Sequence, residues 1–576
     1  IAVMGSPKVD HILKLGRNRQ KIVKHGIPLE WRTKIKGKKV ILFNVSISGI
    51  LQNSKYAMEK IRYVLSRFEN REDVVLWWRP HPLVEATLKS MRPAMYGEYM
   101  EIKNAFLSGG KGIFDETGDP GIAVAVADAY VGEASSSLIH YFGVLGKPVF
   151  FIDWKMTEEW SEDERASTFF YDCYFEDNFV WFVPNSELGY YYLCKLDLES
   201  GELSLVEELP GKFNNRPEEG THAGIIKINE SIVLAPYKLS DIYIYHLNTK
   251  QAIKIPLARD MRPTDTQAFE YKGKAFLRPF NYPVVIELDI GTGYCIYHEI
   301  PEPERMMGNL EDLYGRGSVV NGNSFYFPTR HRNVIWKFDL DTRTFLERKI
   351  EDGKTGYSFL DAVGNNFWMG SDKTLEIVCW NEETGSMKRW HDFPEDFGGK
   401  EKAFLAILES KEGMIAVPRK ADMAVEINLY SPMAKKYSIQ DSFVEGAKLS
   451  AFYNHSINYL IAKKYQDQIV ALTTYNNSLV LYDCITGKSV VHPIRFRDAD
   501  RRSLENRKMD KEFQSAGTPN SYMESKRWSV SVFINYIADG GYHYYQTARN
   551  CYKSAAESLD GNCGKNLHCF IKDELK

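Results

Sequence analysis

The chain has 576 residues, a net charge of −3, 44% hydrophobic and 26% charged residues. That balance excludes wholesale disorder, a collagen-like fibre, a bundle of membrane spans and a polycation built for nucleic acid. Aromatic residues reach 13%, with 34 Tyr and 11 Trp, which favours β-rich architecture, and the length predicts several domains.

Residues 1–40 carry eleven Lys or Arg against Asp10 and Glu30. This block predicts either a solvated helix face and loop or, through residues 8–39, peripheral contact with an anionic membrane or a polyanionic acceptor. No stacking motif accompanies the charge, so nucleic acid is not expected. The first residue is Ile1 rather than Met, from which further chain upstream is expected. Through residue 160, strand-like and helix-like runs alternate. Lys39–Asn44 (KVILFN), Asp73–Arg79 (DVVLWWR), Gly112–Phe114, Ala129–Val131 and Pro148–Ile152 predict strands; Ser54–Phe68, Leu83–Met95, Asp119–Val126 and Ser135–Leu145 predict helices. Continuous apolar strands flanked by helices imply a parallel sheet covered on both faces. Such sheets bind ligands beyond the C-terminal ends of their strands. The expected domain at 1–160 is therefore α/β and Rossmann-like.

Residues 165–497 repeat a strand and a turn: LDLESGEL at 196, YHLNTKQA at 245, LDIGTGYC at 288, FDLDTRTF at 338, WNEETGSM at 380, INLYSPMA at 427 and YDCITGKS at 482. The aligned hydroxyl residues are Ser200, Thr249, Thr292, Thr342, Thr384, Ser431 and Thr486. A period in the forties, with about four strands per unit, is the pattern of propeller blades. Seven units predict seven blades, with six as the alternative. Trp181, Trp336, Trp368, Trp380 and Trp390 either pack between blades or stack on a bound sugar. In the tail, 498–576, the polar stretch Arg497–Ser521 predicts a linker or surface excursion, and Glu524–Ile537 and Tyr544–Leu559 predict helices.

The eight cysteines are scattered and none forms a CxxC, which predicts reduced thiols in a cytoplasmic protein. Cys563, His568 and Cys569 lack the paired spacing of a structural zinc site, and no metal or cofactor is expected.

Three segments carry chemistry. In Val131–Phe151 (VGEASSSLIHYFGVLGKPVFF), a strand ends, Gly132 permits a turn, and Ser135, Ser136 and Ser137 open a helix. Hydroxyls and unpaired amides at a helix start suit either a phosphate or ordinary capping. In Arg79–Pro80–His81–Pro82, the prolines fix a turn after a strand, so Arg79 could pair with a phosphate and His81 could bind one or move a proton. Asn44–Ser48 (NVSIS) places Asn44 and Ser46 at the same sheet edge.

The blocks GSPKVD (5–10), RPHP (79–82) and ASSSLIHYFGVLGKPVFF (134–151) resemble the C-terminal half of the CDP-glycerol glycerophosphotransferases, the teichoic-acid polymerases and their relatives. The resemblance covers about residues 5–152. It implies half of a GT-B fold and transfer of a polyol phosphate from a CDP-polyol or other nucleotide donor to an anionic surface polymer or glycan acceptor, at the inner face of a bacterial membrane. It implies that His81 contacts phosphate or assists transfer, that Ser136 and Ser137 bind the diphosphate, and that Asn44 and Ser46 line the donor cleft. The family's Asp before the paired serines falls at Ala134, or at Glu133 with a shift of one residue, and NVSIS replaces the family's Pro-Thr loop. The alternative is a glycan- or protein-binding propeller beside a degenerate nucleotide-binding half.

Overall fold

The computed structural model describes residues 6–52, 54–152, 168–186, 191–209, 221–258, 261–301, 313–350, 356–371, 374–399, 402–411, 413–430, 434–437, 459–473, 478–515, 522–524, 528–540 and 562–574. The chain divides into two units: Ile1–Glu162 with Arg501–Lys576, and Asp163–Asp500.

The first unit is built on six parallel strands. Along the sheet run β3 (Ile113–Phe114), β2 (Val74–Pro80), β1 (Lys39–Val45), β4 (Ala129–Gly132), β5 (Val149–Phe151) and a last strand, Tyr522–Glu524. Strand order reverses between β1 and β4, as in doubly wound folds. Both faces are apolar because successive side chains of a strand alternate. Ile41, Phe43 and Val45 join a core with Trp78, the helix α5 (Ser54–Ser66) and the later helix Val530–Ala538. Val40 and Leu42 join the opposite core with Ile12, Val124 and Phe142, from α1 (Pro7–Arg17), α8 (Pro120–Val126) and α9 (Leu138–Val144).

Three expectations need correction. Leu83–Met95 is two helices, Val84–Met91 and Pro93–Gly109, because Pro93 has no N–H to continue the first and is suited to open the second. The tail is not a separate third region. Its strand Tyr522–Glu524 extends the α/β sheet, and Phe533, Ile534 and Ile537 are buried in that unit's core. The expected linker at Arg497–Ser521 contains a helix, Asp498–Ser515. Leu504 and Met509 are buried along it, and Arg501 pairs with Glu505 one turn on at 3.1 Å; its dense charge concealed that narrow apolar stripe. Tyr544–Leu559 lies outside the described residues, and the helix Cys563–Glu574 has no counterpart in the sequence reading.

The second unit is a β-propeller of seven sheets: blades 2 to 7 are each four consecutive antiparallel strands, and blade 1 is four antiparallel strands with a fifth, Arg495–Phe496, added in parallel. Blade 1 starts at Tyr174–Glu176; blades 2 to 7 start at Thr221–Ile228, Thr266–Tyr271, Val319–Asn321, Phe359–Val363, Phe404–Glu409 and Tyr459–Tyr465. The alternative of six blades is excluded. The repeated turn joins the third and fourth strands, and its cause is an acceptor side chain. Asp197, Asp289, Asp339 and Asp483 each accept the amide of the residue three positions on, at 2.8 to 2.9 Å. Asn381 does the same for Thr384, as an Asx turn requires. His246 stands in the aspartate's place in blade 2, and Ser431 lies outside the described residues.

The ring closes between blades 7 and 1. Lys463 pairs with Asp172 and donates to the Cys173 carbonyl at 3.0 Å. The rings of Tyr465 and Phe175 stack with centroids 4.7 Å apart, and the strand Arg495–Phe496 adds to the outer edge of blade 1. The five tryptophans considered for sugar stacking are all buried, between 2% and 7% exposed, and serve the core. The seven described cysteines are free thiols. Among the described residues no helix is long and apolar enough to cross a membrane, and no cluster of side chains is suited to a metal.

Buried carboxylates tie neighbouring blades. Glu287 of blade 3 accepts from Arg343 of blade 4 at 2.7 and 3.0 Å, and from Lys274 and His298. Arg343, aided by Lys274 and His298, outweighs burial and holds the Glu287 carboxyl at about 2. An unfolded glutamate titrates near about 4.3, so the folded value is depressed. The stability it contributes is complete above the unfolded value and is lost as pH falls toward the folded one. Thermal melts on acidification should therefore show falling stability across that window. Glu287→Gln should flatten the fall and cost about 3 kcal/mol at neutral pH, as for one removed partner of a buried ion pair; an unchanged acid profile would contradict this assignment.

Candidate functional site

The reversal of strand order brings two loops together at the C-terminal edge of the α/β sheet. Asn44 on β1 is in register with Gly132 on β4, so the segment after Val45 faces the segment after Gly132. Glu133 occupies the junction. Its carboxylate accepts the Ser46 amide at 3.2 Å and the Ser46 hydroxyl, and it forms an ion pair with Lys60 of α5 at 3.1 Å. Both charged side chains are buried, at 11% and 7% exposure, so each depends on the other for its charge to be tolerated. Gly49 makes the approach possible: a Cβ there would lie 1.8 Å from Glu133 Oε1.

Three hydroxyls gather over this pair. Ser46 Oγ lies 2.9 Å from Ser48 Oγ, and Ser135 Oγ lies 3.1 Å from Ser48 and 3.3 Å from Ser46. Ser135 is exposed. On the neighbouring strand end, the His81 amide donates to the Val45 carbonyl at 3.0 Å. The exposed His81 ring accepts the Leu83 amide at Nδ1 over 3.2 Å. An acceptor at Nδ1 puts the proton of the neutral ring on Nε2, which can donate to a ligand oxygen.

The other expected site residues go elsewhere. Arg79 is buried, with its guanidinium 2.7 Å from Asp115 and 3.0 Å from the Thr117 hydroxyl. Asp115 also holds the Trp77 indole at 2.9 Å. Asn44 donates to the Arg79 carbonyl at 2.8 Å and straps β1 to β2. Ser136 is buried and accepts the Leu138 amide at 3.3 Å, capping α9, while Ser137 is exposed without a side-chain capping bond. The helix begins at Leu138 rather than Ser135, so the three serines form the turn before it. Lys147 of the G-K-P block donates to the Val124 and Ala125 carbonyls at 2.7 and 2.9 Å, closing the end of α8.

Sequence reasoning did not single out Lys60. A signal for it exists: Lys60 sits in line with Ala57, Ile61 and Val64 on the apolar stripe of α5, where an unpartnered cation would be costly. Of the basic block, Arg19 is held by the Val126 carbonyl and Asp128, and Lys34 by the Gly112 carbonyl and Glu30. Lys8, Lys14, Lys21, Lys24 and Lys36 are exposed.

The propeller holds a second candidate, a cavity of about 380 Å³ lined by residues of several blades, among them Thr266, Ser318 and Asp361. Burial pushes the Asp361 carboxyl up to about 6.

No protein-family model and no curated protein sequence matches the chain. Among solved structures it is similar to a virginiamycin B lyase from Staphylococcus aureus, with 13% identity over 55% of this chain and 94% of that one and a TM-score of 0.40. It is also similar to the RRP9 WD40 repeats (11% identity, 48% and 81% covered, TM-score 0.35) and to Kluyveromyces lactis Hsv2 (11%, 57% and 98%, 0.36). All three lie below a TM-score of 0.5, and the propeller is read from its own seven sheets.

Proposed function

We propose that the α/β unit binds the phosphate-bearing end of a nucleotide donor where strand order reverses. In this reading the chain is a glycerophosphotransferase-like protein of bacterial cell-surface polymer synthesis, moving a polyol phosphate from a CDP donor to an anionic polymer or glycan acceptor. The observation that carries the reading is the convergence of Ser46, Ser48 and Ser135 over the Glu133–Lys60 pair. This is the edge at which doubly wound sheets take their ligands.

Glu133 accepts from Ser46 and thereby fixes that hydroxyl, while Ser48 and Ser135 supply donors for phosphate oxygens. His81, one strand over, would donate through Nε2 to a phosphate or leaving-group oxygen. Transfer of a phosphoryl ester depends mainly on positioning and charge stabilisation, and the buried arginine at 79 acts by holding the strand ends, not by touching the donor. The exposed lysines of α1 and its neighbours would meet an anionic acceptor or membrane surface.

A second reading is favoured by the propeller cavity: a binding module for a glycan or partner, with the α/β unit as scaffold. Calorimetry separates the two. The transferase reading requires heat on titrating CDP-glycerol or CDP-ribitol into the full chain, with affinity about tenfold weaker in the Ser48→Ala/Ser135→Ala double variant. Absence of binding by these donors and by other nucleotide sugars would defeat it. His81→Gln should keep donor affinity and slow transfer by about a hundredfold, the size of one lost proton-transfer group. Gly49→Ala, which drives a methyl into Glu133, should lower melting temperature and donor affinity together; retention of both would argue against the Glu133 junction.

A further inference from the structure

A smaller cavity of about 170 Å³ opens where blades 4, 5 and 6 begin. Arg316 and Lys402 precede the first strands of blades 4 and 6, and Arg330 and Arg419 follow their second strands, Ser324–Pro328 and Met414–Pro418. In an antiparallel pair the start of one strand adjoins the end of the next, as Phe404 opposite Pro418 illustrates. The four cations therefore come from one end of their blades, and all four line the cavity with Ser358 and Phe404.

None of the described residues lining this cavity is acidic. Each arginine is also held by neighbouring groups, and a guanidinium carries five N–H donors, so anchoring and ligand contact are compatible. The backbone is shaped for the arrangement. Gly356 has φ +57, and a Cβ there would lie 2.1 Å from the Arg330 carbonyl oxygen. The Tyr357 amide can thus reach the Thr329 carbonyl at 2.9 Å.

Arg316, Phe359 and Leu405 also line the 380 Å³ cavity, so the two spaces adjoin. The Thr266 hydroxyl in the larger wall is buried and has no hydrogen-bond partner among the described residues. Buried polar groups without partners are uncommon and costly, and a ligand hydroxyl would satisfy this one.

We propose that the paired cavities bind an acidic sugar, its phosphate or carboxylate seated among Arg316, Arg330, Lys402 and Arg419 and its hydroxyl-bearing ring against Thr266 and Ser318. The inference rests on the reading of the propeller as a glycan-binding module and names its ligand class. Two facts favour it over a neutral glycan: four cations converge on a cavity of head-group size, and planar guanidinium forks match oxyanions bidentately.

The test is calorimetry on the full chain with four probes: a hexose phosphate, glucuronate, glucose and inorganic phosphate. At least one charged sugar should bind, more weakly as salt rises, and comparison of the two assigns the anion as phosphate or carboxylate. Arg419→Ala should weaken that binding about tenfold or more, as for one lost charge-assisted pair, and Thr266→Val should weaken it without changing its salt dependence. Glucose binding as tightly as the charged sugars would overturn the inference while leaving glycan binding intact. Inorganic phosphate equalling the hexose phosphate would overturn the role of the larger cavity. Failure of every probe, or wild-type affinity in folded Arg419→Ala and Arg330→Ala variants, would overturn the site itself.

Discussion

Ring closure is the constraint on which the architecture depends. Every propeller blade leaves one face apolar until a neighbour covers it, so a row of blades is stable only when the last meets the first. Here the last blade reaches the first through Lys463 and Asp172, through the stacked rings of Phe175 and Tyr465, and through a short strand laid on the outer edge of blade 1. The closed ring carries its own seam: blades 2 to 7 are each made from consecutive strands, and Arg495–Phe496, from the end of the ring, completes blade 1. It can therefore be inserted between two neighbouring strands of another sheet. That is its place in this chain: β5 pairs with the strand Tyr522–Glu524, with the whole propeller between them in sequence.

Charge is handled alike in both units. A carboxylate is buried where two segments must meet and is neutralised there by a cation from another element: Glu133 by Lys60, Asp115 by Arg79, Glu287 by Arg343. Such pairs add little net stability over apolar packing, but removal of one member leaves a buried charge. They act as pins of geometry. At the α/β edge the Glu133 pin sets where the Ser46 turn lies and thus gathers the hydroxyls. Arg79 shows the converse, since an arginine beside a polar loop becomes part of the frame once a buried aspartate is in reach.

The two candidate sites differ in what holds them. The α/β cluster is formed by loops from two strands meeting across the point of order reversal, and its donors are neutral hydroxyls over a neutralised ion pair. The propeller cavities are formed by the same structural positions repeated in different blades. Repetition brings like charges together there without any single segment being basic: Arg330 and Arg419 are nearly ninety residues apart yet occupy equivalent places after second strands.

Local pattern determined much of this protein from the sequence alone. Apolar runs located β1 to β5, and the recurring strand and turn with its aligned Ser or Thr counted the blades, because in five of them an Asp or Asn closes the turn on the amide three residues on, a local device that needs no partner from afar. That the segments of Ser46 and Ser135 lie at one edge of the sheet was legible because both follow predicted strands, and the structure brings their hydroxyls within 3.3 Å. What folding at long range decided was pairing. Burial of Asp115 took Arg79 out of reach of a ligand, Leu138 claimed the hydroxyl of Ser136, and the apolar face of Val530–Ala538 returned the tail to the first unit. Each of these outcomes turns on which groups meet across many residues of chain, a quantity that spacing along the sequence does not contain.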